Sequence, residues 1–182
     1  MDRRQRKTRE AIFQAFSELL SEKHYNQITV GEILERADVG RATFYAHFET
    51  KDYLLKELCA ELFCHIFHGR EGNGEHRHIF QCEAPESAFL HLIRHLQKND
   101  YHILTLLTCD NNGLFLGYFK EHLKALVENQ LSEFPQTIAR DLPDSYRIHL
   151  ISATFVETIL WWIQNGMKES PERLSYYFMQ TL

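Results

Sequence analysis

The chain has only four cysteines in 182 residues, Cys59, Cys64, Cys82 and Cys109, and no two of them are spaced C-x-x-C. Thiols so placed are expected to be reduced and buried rather than bridged. No run of apolar residues approaches the roughly 18–20 that span a bilayer, so no membrane segment is expected. The opening stretch MDRRQRKTRE is charged with no apolar segment behind it, so the expectation is no secretory signal and a cytoplasmic location. A Gly-rich phosphate loop, an H-E-x-x-H pair and a nucleophile elbow are all missing. Nothing sequential therefore points to an enzyme, and no cofactor is expected. Internal repeats and low-complexity tracts are absent too.

What remains is the composition of an ordinary globular protein, 44% hydrophobic and 25% charged, long enough for one large domain or two small ones sharing a helix. The net charge of −5 argues at first against nucleic acid, but its distribution reverses that impression. Residues 1–51 hold nine Lys/Arg against eight Asp/Glu, and the remainder eleven against seventeen. Arg3, Arg4, Arg6, Lys7 and Arg9 form a basic block with no acid among them. Phosphate binding is a local electrostatic event, so a basic end on an acidic body is compatible with DNA. A solvated tail that only aids solubility is the bland alternative.

The stretch Thr29 to Lys51, TVGEILERADVGRATFYAHFETK, organises the chain. Thr29 and Glu32 have the spacing of a capping box at the start of a short helix. Asp38-Val39-Gly40 interrupts that helix, since Asp tolerates and Gly favours conformations a helix interior excludes. A second helix, about Arg41 to His47, is too short to stand alone in water. Phe44 and Phe48 lie four apart and point to a core, while Arg41, Ala42 and Tyr45 share a neighbouring face. A planar multi-donor cation, a small residue and an aromatic hydroxyl shown outward from two Phe anchors fit the DNA major groove.

This stretch resembles the DNA-binding segment of the TetR family of bacterial transcriptional regulators. The matching residues are Thr29-Val30, Ile33, Ala37, Val39, Thr43-Phe44-Tyr45, His47-Phe48, Lys51 and Leu54-Leu55. The resemblance implies an all-α homodimer that binds double-stranded DNA, represses or activates genes and responds to a small ligand. Residues 1–50 would be a three-helix DNA-binding domain and 51–182 a helical effector-binding and dimerisation domain. Two positions depart from the family pattern: Asp38 stands where Gly is usual, and Gly40 where Ser, Thr or Asn is usual. Asp reaches the left-handed turn at modest cost, and Gly is a serviceable cap without the hydroxyl. In the family, positions matching Thr43 and His47 contact the DNA backbone. Gly40, Arg41, Ala42 and Tyr45 complete the expected DNA surface, and Thr29 and Lys51 sit at helix starts suited to phosphate. Thr29 and Thr43 are equally readable as caps or packing residues.

Apolar periodicity sets further helices at 8–22, 51–67, 85–98, 101–109, 114–133 and 144–165. Residues 69–84 read as a long loop. Ser170-Pro171-Glu172 restarts the chain into a last helix, with cap, first-turn Pro and acid in order. The stripe Ile151, Phe155, Ile159 and Trp162, with Leu174, Tyr177 and Phe178, is wider and more aromatic than one neighbour would bury. It is read as a dimer interface, completion of the monomer core being the alternative. Trp161-Trp162, Gly166 and Ser170-Pro171 also resemble the ending of a TetR subgroup common in Gram-positive bacteria.

The resemblance places an effector pocket in the body, with Phe63, Phe67, Leu92, His95, Leu96, Tyr101, Leu106, Phe115 and Phe119 as candidates. Aromatic stripes at helical spacing are as readily plain core. A metal-responsive regulator of the same fold is the alternative. Cys59, Cys64, His65, His68, His76, His78 and Cys82 crowd together, and Cys64, His68 and Cys82 offer soft ligands suited to zinc. Their spacing matches no closed-site pattern.

Overall fold

The computed structural model describes residues 3–68, 87–108, 113–134 and 142–182, and among these the chain is all-helical. In order, the helices are α1 (Arg3–Glu22), α2 (Val30–Ala37), α3 (Arg41–Tyr45) and α4 (Lys51–His68). Then come α5 (Ala88–Lys98), α6 (Ile103–Thr108), α7 (Gly113–Asn129), α8 (Asp144–Gln164) and α9 (Pro171–Gln180). The loop expected at 69–84, with His76, His78 and Cys82, and also Cys109, lies outside the described residues.

The basic block is not a tail. It forms the first turns of α1, which starts at Arg3 rather than at the expected position 8. Ile12, Phe13, Phe16, Leu19 and Leu20 give α1 one buried face, packed on α2. α4 runs from this N-terminal bundle into the body, where it packs on α5 and α7. Its Leu54, Leu55, Leu58, Leu62 and Phe63 are buried, so one apolar core is continuous from Ile12 to Leu182.

Between α5 and α6 the backbone bends sharply. Asn99, Tyr101 and His102 all have left-handed φ, at 52°, 54° and 54°. Asn99 caps α5, and its Oδ1 accepts from the Leu104 amide at 3.0 Å, which starts α6 two residues later than Tyr101. The turn Asp100–His102 rests against α1, a second contact between the two ends of the molecule.

α8 and α9 form as the sequence leads one to expect. Gly166, at φ 71°, ends the turn after α8, and the Ser170 hydroxyl accepts from the Arg173 amide with Pro171 at the first helical position. Their expected role as the interface is corrected. Ile151, Phe155, Ile159, Trp162, Leu174 and Phe178 are buried within the single chain, and Tyr177 is half-buried. The cause is Phe89 of α5, whose ring lies 5.3 Å from Phe155 and 5.2 Å from Phe178, with Phe134 beside it at 5.4 Å. Trp162 buries its indole and satisfies it by donating to the Glu169 carbonyl at 2.9 Å.

Phe155→Ala should therefore lower unfolding stability in urea by about 3–5 kcal/mol, the cost of an aromatic deletion in a packed core. Self-association measured by sedimentation should not change. A variant of normal stability that no longer self-associates would return the stripe to an interface.

Candidate nucleic-acid interface

The surface begins with the geometry that fixes α2. The Thr29 hydroxyl accepts from the Glu32 amide at 3.3 Å, and the Glu32 carboxylate accepts from the Thr29 amide at 2.8 Å. This is the capping box expected from the sequence. The Lys23 ammonium, then the Thr29 amide and hydroxyl, hold the Glu32 carboxyl down to about 2. At the other end Asp38 takes the left-handed conformation, φ 51° and ψ 48°, and its amide closes on the carbonyls of Glu35 and Leu34. The Asp at a usual Gly position is accommodated as such a short polar side chain can be.

α3 has five residues and follows directly. Gly40 precedes it in extended geometry and contributes no side-chain cap. Phe44 and Phe48 are fully buried, with Phe48 edge-on to Phe13 of α1 at 5.4 Å. Arg41, Ala42, Thr43 and Tyr45 are exposed, Tyr45 by 47%, and His47 is half-buried beside the Phe48 ring. A helix held by two rings thus shows a guanidinium, a methyl and a phenol on its outer side.

The basic block divides its work. The Arg9 guanidinium turns inward, over the rings of Phe13 and Phe48 at 5.4 and 5.0 Å, and bonds Glu57 and Glu61 of α4 at 3.0 and 3.2 Å. Arg6 pairs with Glu10 at 3.4 Å. Arg3, Arg4 and Lys7 line a cleft with Thr8, Ala37 and Asp38, between the start of α1 and the turn before α3. That places positive charge beside the turn that leads into α3, and such charge suits a phosphate backbone.

Lys51 is corrected. Rather than reaching outward to phosphate, its ammonium donates to the carbonyls of Tyr25 and Ile28 at 2.9 and 2.8 Å and sits 4.2 Å from the centre of the Tyr25 ring. Within the 3₁₀ turn Tyr25–Gln27 the Tyr25 carbonyl also accepts from the Ile28 amide at 3.1 Å, and the first residue of α4 adds a charged donor to it and to the Ile28 carbonyl. Burial pushes the Lys51 ammonium below its usual range.

In the body, the pocket candidates lie in the core rather than on an open surface. Phe63, Leu92, His95, Leu96, Leu106, Phe115 and Phe119 are buried, and Phe67 and Tyr101 half-buried. Phe63 meets Phe119 edge-on at 5.2 Å and lies nearly parallel to His122 at 5.5 Å. Burial lowers the basicity of His122 and raises the thiol pKa values of Cys59 and Cys64. Of the metal candidates, Cys82 and the side chain of His68 lie outside the described residues, and Cys64 is half-buried. His95, one of the pocket candidates, faces His65 and His91. His91 precedes His95 by four residues, one helical turn, a spacing visible in the sequence.

Comparison with known proteins gives two matches to family descriptions. Residues 12–58 match "Bacterial regulatory proteins, tetR family", and residues 83–182 match "Transcriptional regulator C-terminal region". The crystal structure of a TetR transcriptional regulator from Streptococcus agalactiae is similar at 35% identity and TM-score 0.72, covering 99% of this chain and 96% of that one. The transcriptional regulator FadR from Bacillus subtilis, solved in complex with stearoyl-CoA, shares the fold at 21% identity and TM-score 0.59, covering 93% and 95%. Among curated proteins, the HTH-type transcriptional regulator YxbF of Bacillus subtilis is 29% identical over 188 aligned positions, covering all of this chain and 46% of YxbF. The dhaKLM operon transcriptional activator DhaS of Lactococcus lactis is 26% identical over 125, covering 68% and 62%. The chain thus spans less than two thirds of the length of the curated relatives it matches.

Lys51→Ala should cost about 1–3 kcal/mol in urea denaturation, because two turn carbonyls lose a charged donor. Unchanged stability would return the ammonium to a role outside the fold.

Proposed function

The chain belongs to the TetR family of bacterial regulatory proteins, non-enzymatic DNA-binding regulators of transcription, and from that premise we propose that it is a repressor. It binds a pseudo-palindromic operator as a homodimer, and a small effector modulates its affinity. The observation that carries this reading is the shared exposure of Arg41, Ala42 and Tyr45 on a helix anchored by buried Phe44 and Phe48. Arg41 is the base reader, bidentate to a guanine edge, with Tyr45 and Ala42 flanking it. Gly40, Thr43 and His47 approach the backbone, joined by Arg3, Arg4 and Lys7. Thr29 contributes the N-terminal end of α2, its hydroxyl being occupied by the capping box. Residues 1–50 act as the reading head and 51–182 as the effector and pairing unit, with α4 shared between them. Repression follows from a dimer seated on promoter DNA; DhaS, a relative named as an activator, makes the sign a matter for a reporter fusion.

Pairing is assigned to the outer side of α8 and α9. Tyr146, Leu150, Trp161 and Tyr176 are large, apolar and exposed there, Trp161 by 46% and Tyr176 by 60%, with Tyr177 6.4 Å from Trp161. Trp and Tyr are what protein interfaces concentrate. Paired about a two-fold axis, two α3 helices would read half-sites about one helical turn apart. The effector pocket is assigned between α4 and α5–α7, around Phe63, Phe67, Leu92, His95, Leu96, Tyr101, Phe115 and Phe119.

Two measurements test this. With the protein's own upstream DNA in a gel-shift, Arg41→Ala should lose about 1–3 kcal/mol on the operator and far less on random DNA. Equal losses on both would remove its reading role. Trp161→Glu combined with Tyr176→Glu should leave a folded monomer by sedimentation; a persisting dimer would move the interface elsewhere.

A further inference from the structure

We infer that His65, His91 and His95 form a site for one divalent first-row transition-metal ion, zinc fitting best, and that its occupancy changes DNA affinity. The second half rests on the regulator reading above.

The three rings come from two helices and meet in the core. His91 and His95 lie four apart on α5, so they share one face, and α4 supplies His65 opposite them. Ring centres are 4.9 Å apart for His65–His91, 4.9 Å for His65–His95 and 5.0 Å for His91–His95. Exposure is only 7%, 1% and 2%. One ring nitrogen from each lies within 4.8 Å of the other two, and among the described residues this is the one such cluster of metal-ligating groups.

The spacing suits coordination. Tetrahedral zinc with bonds of about 2.0–2.1 Å holds its ligand nitrogens roughly 3.3 Å apart. The Nε2 atoms of His91 and His95 are 3.2 Å apart in a hydrogen bond that an ion between them would replace. By the same geometry the third nitrogen closes with an inward shift of at most about 1.5 Å. Three imidazoles and an open fourth position are a known zinc arrangement, the fourth place going to water or another donor. Imidazole nitrogen without carboxylate oxygen disfavours calcium and magnesium.

Polar rings in an apolar core carry a desolvation cost that leucines would avoid, and a metal bond offsets it. Coupling follows from α4. The helix that carries His65 is fixed at its other end to Tyr25 and Ile28 by Lys51 and to α1 by Arg9. Drawing His65 onto an ion shared with α5 moves the strut on which the DNA-reading helices rest.

The test uses full-length protein freed of metal by a chelator and titrated with zinc alone against a chromophoric competitor. One zinc per chain is expected. His65→Gln, His91→Gln and His95→Gln should each weaken binding by more than the roughly 10–100-fold that loss of an outer-shell partner costs. Cys64→Ser should bind as the parent does. Zinc-edge X-ray absorption on the unaltered protein covers the case in which a histidine variant misfolds: the expected shell is nitrogen and oxygen with imidazole scattering. No zinc uptake, a sulfur in the shell, or unchanged affinity in the folded histidine variants would overturn the site. With the protein's own upstream DNA, zinc should shift gel-shift affinity by about 5–150-fold, the usual span of coupling between sites. Zinc bound at these residues with DNA affinity unmoved would overturn the coupling and leave the site. Failure to bind DNA with or without zinc would instead count against the regulator reading.

Discussion

Everything at the reading end depends on burying Phe44 and Phe48. A helix of five residues has too few internal hydrogen bonds to persist by itself, so packing must supply its position and its stability. The Phe48 ring packs on Phe13 and the Phe44 ring on Phe48, and the Arg9 guanidinium covers Phe13 and Phe48 while bonding two carboxylates of α4. The direction in which Arg41, Ala42 and Tyr45 point is therefore set by residues that never face the solvent. Once those rings are buried, the helix has no other side to show.

The same packing makes α4 part of both ends of the molecule. Near its start, Lys51 closes the turn before α2, and Glu57 and Glu61 hold α1 through Arg9. Further along, Leu62, Phe63, His65 and Ile66 are buried against the body. The left-handed residues Tyr101 and His102 form a turn that rests on α1, so the body touches the reading end twice. A change in the body that shifts α4 or this turn must be met by the N-terminal bundle, because packed cores yield by discrete rearrangement more readily than by continuous bending.

Local chemistry was legible in the sequence where the interacting residues are close in the chain. Thr29 with Glu32, the Ser170-Pro171 restart and the burial of Phe44 and Phe48 follow from residue type and spacing, and the left-handed Asp38 from the resemblance, which puts it at a usual Gly position. What spacing could not supply was the partner of a side chain across the fold. Lys51 and Arg9 read as phosphate ligands because basic residues beside a helix-turn-helix usually face outward; the carbonyls of Tyr25 and Ile28 and the carboxylates of Glu57 and Glu61 turn them inward. The meeting of His95 with His65 was hidden because the two lie thirty residues apart on different helices. Helix identity was local information, and the facing of each helix was not.

α8 shows how that distinction bears on assembly. Its apolar residues cover more than one face, and the sequence gives no means of telling which face meets the rest of the chain. Phe89 and Phe178 decide it, drawing Phe155 and its stripe inward and leaving Tyr146, Leu150 and Trp161 outside. Two apolar faces on one helix are wasteful in a monomer, since the outer one gains nothing from exposure. The inner face is committed to the chain's own core, and the outer one stays exposed. The width of the α8 stripe then has two separate causes, a core made with α5 and α9 and a surface still open to a partner.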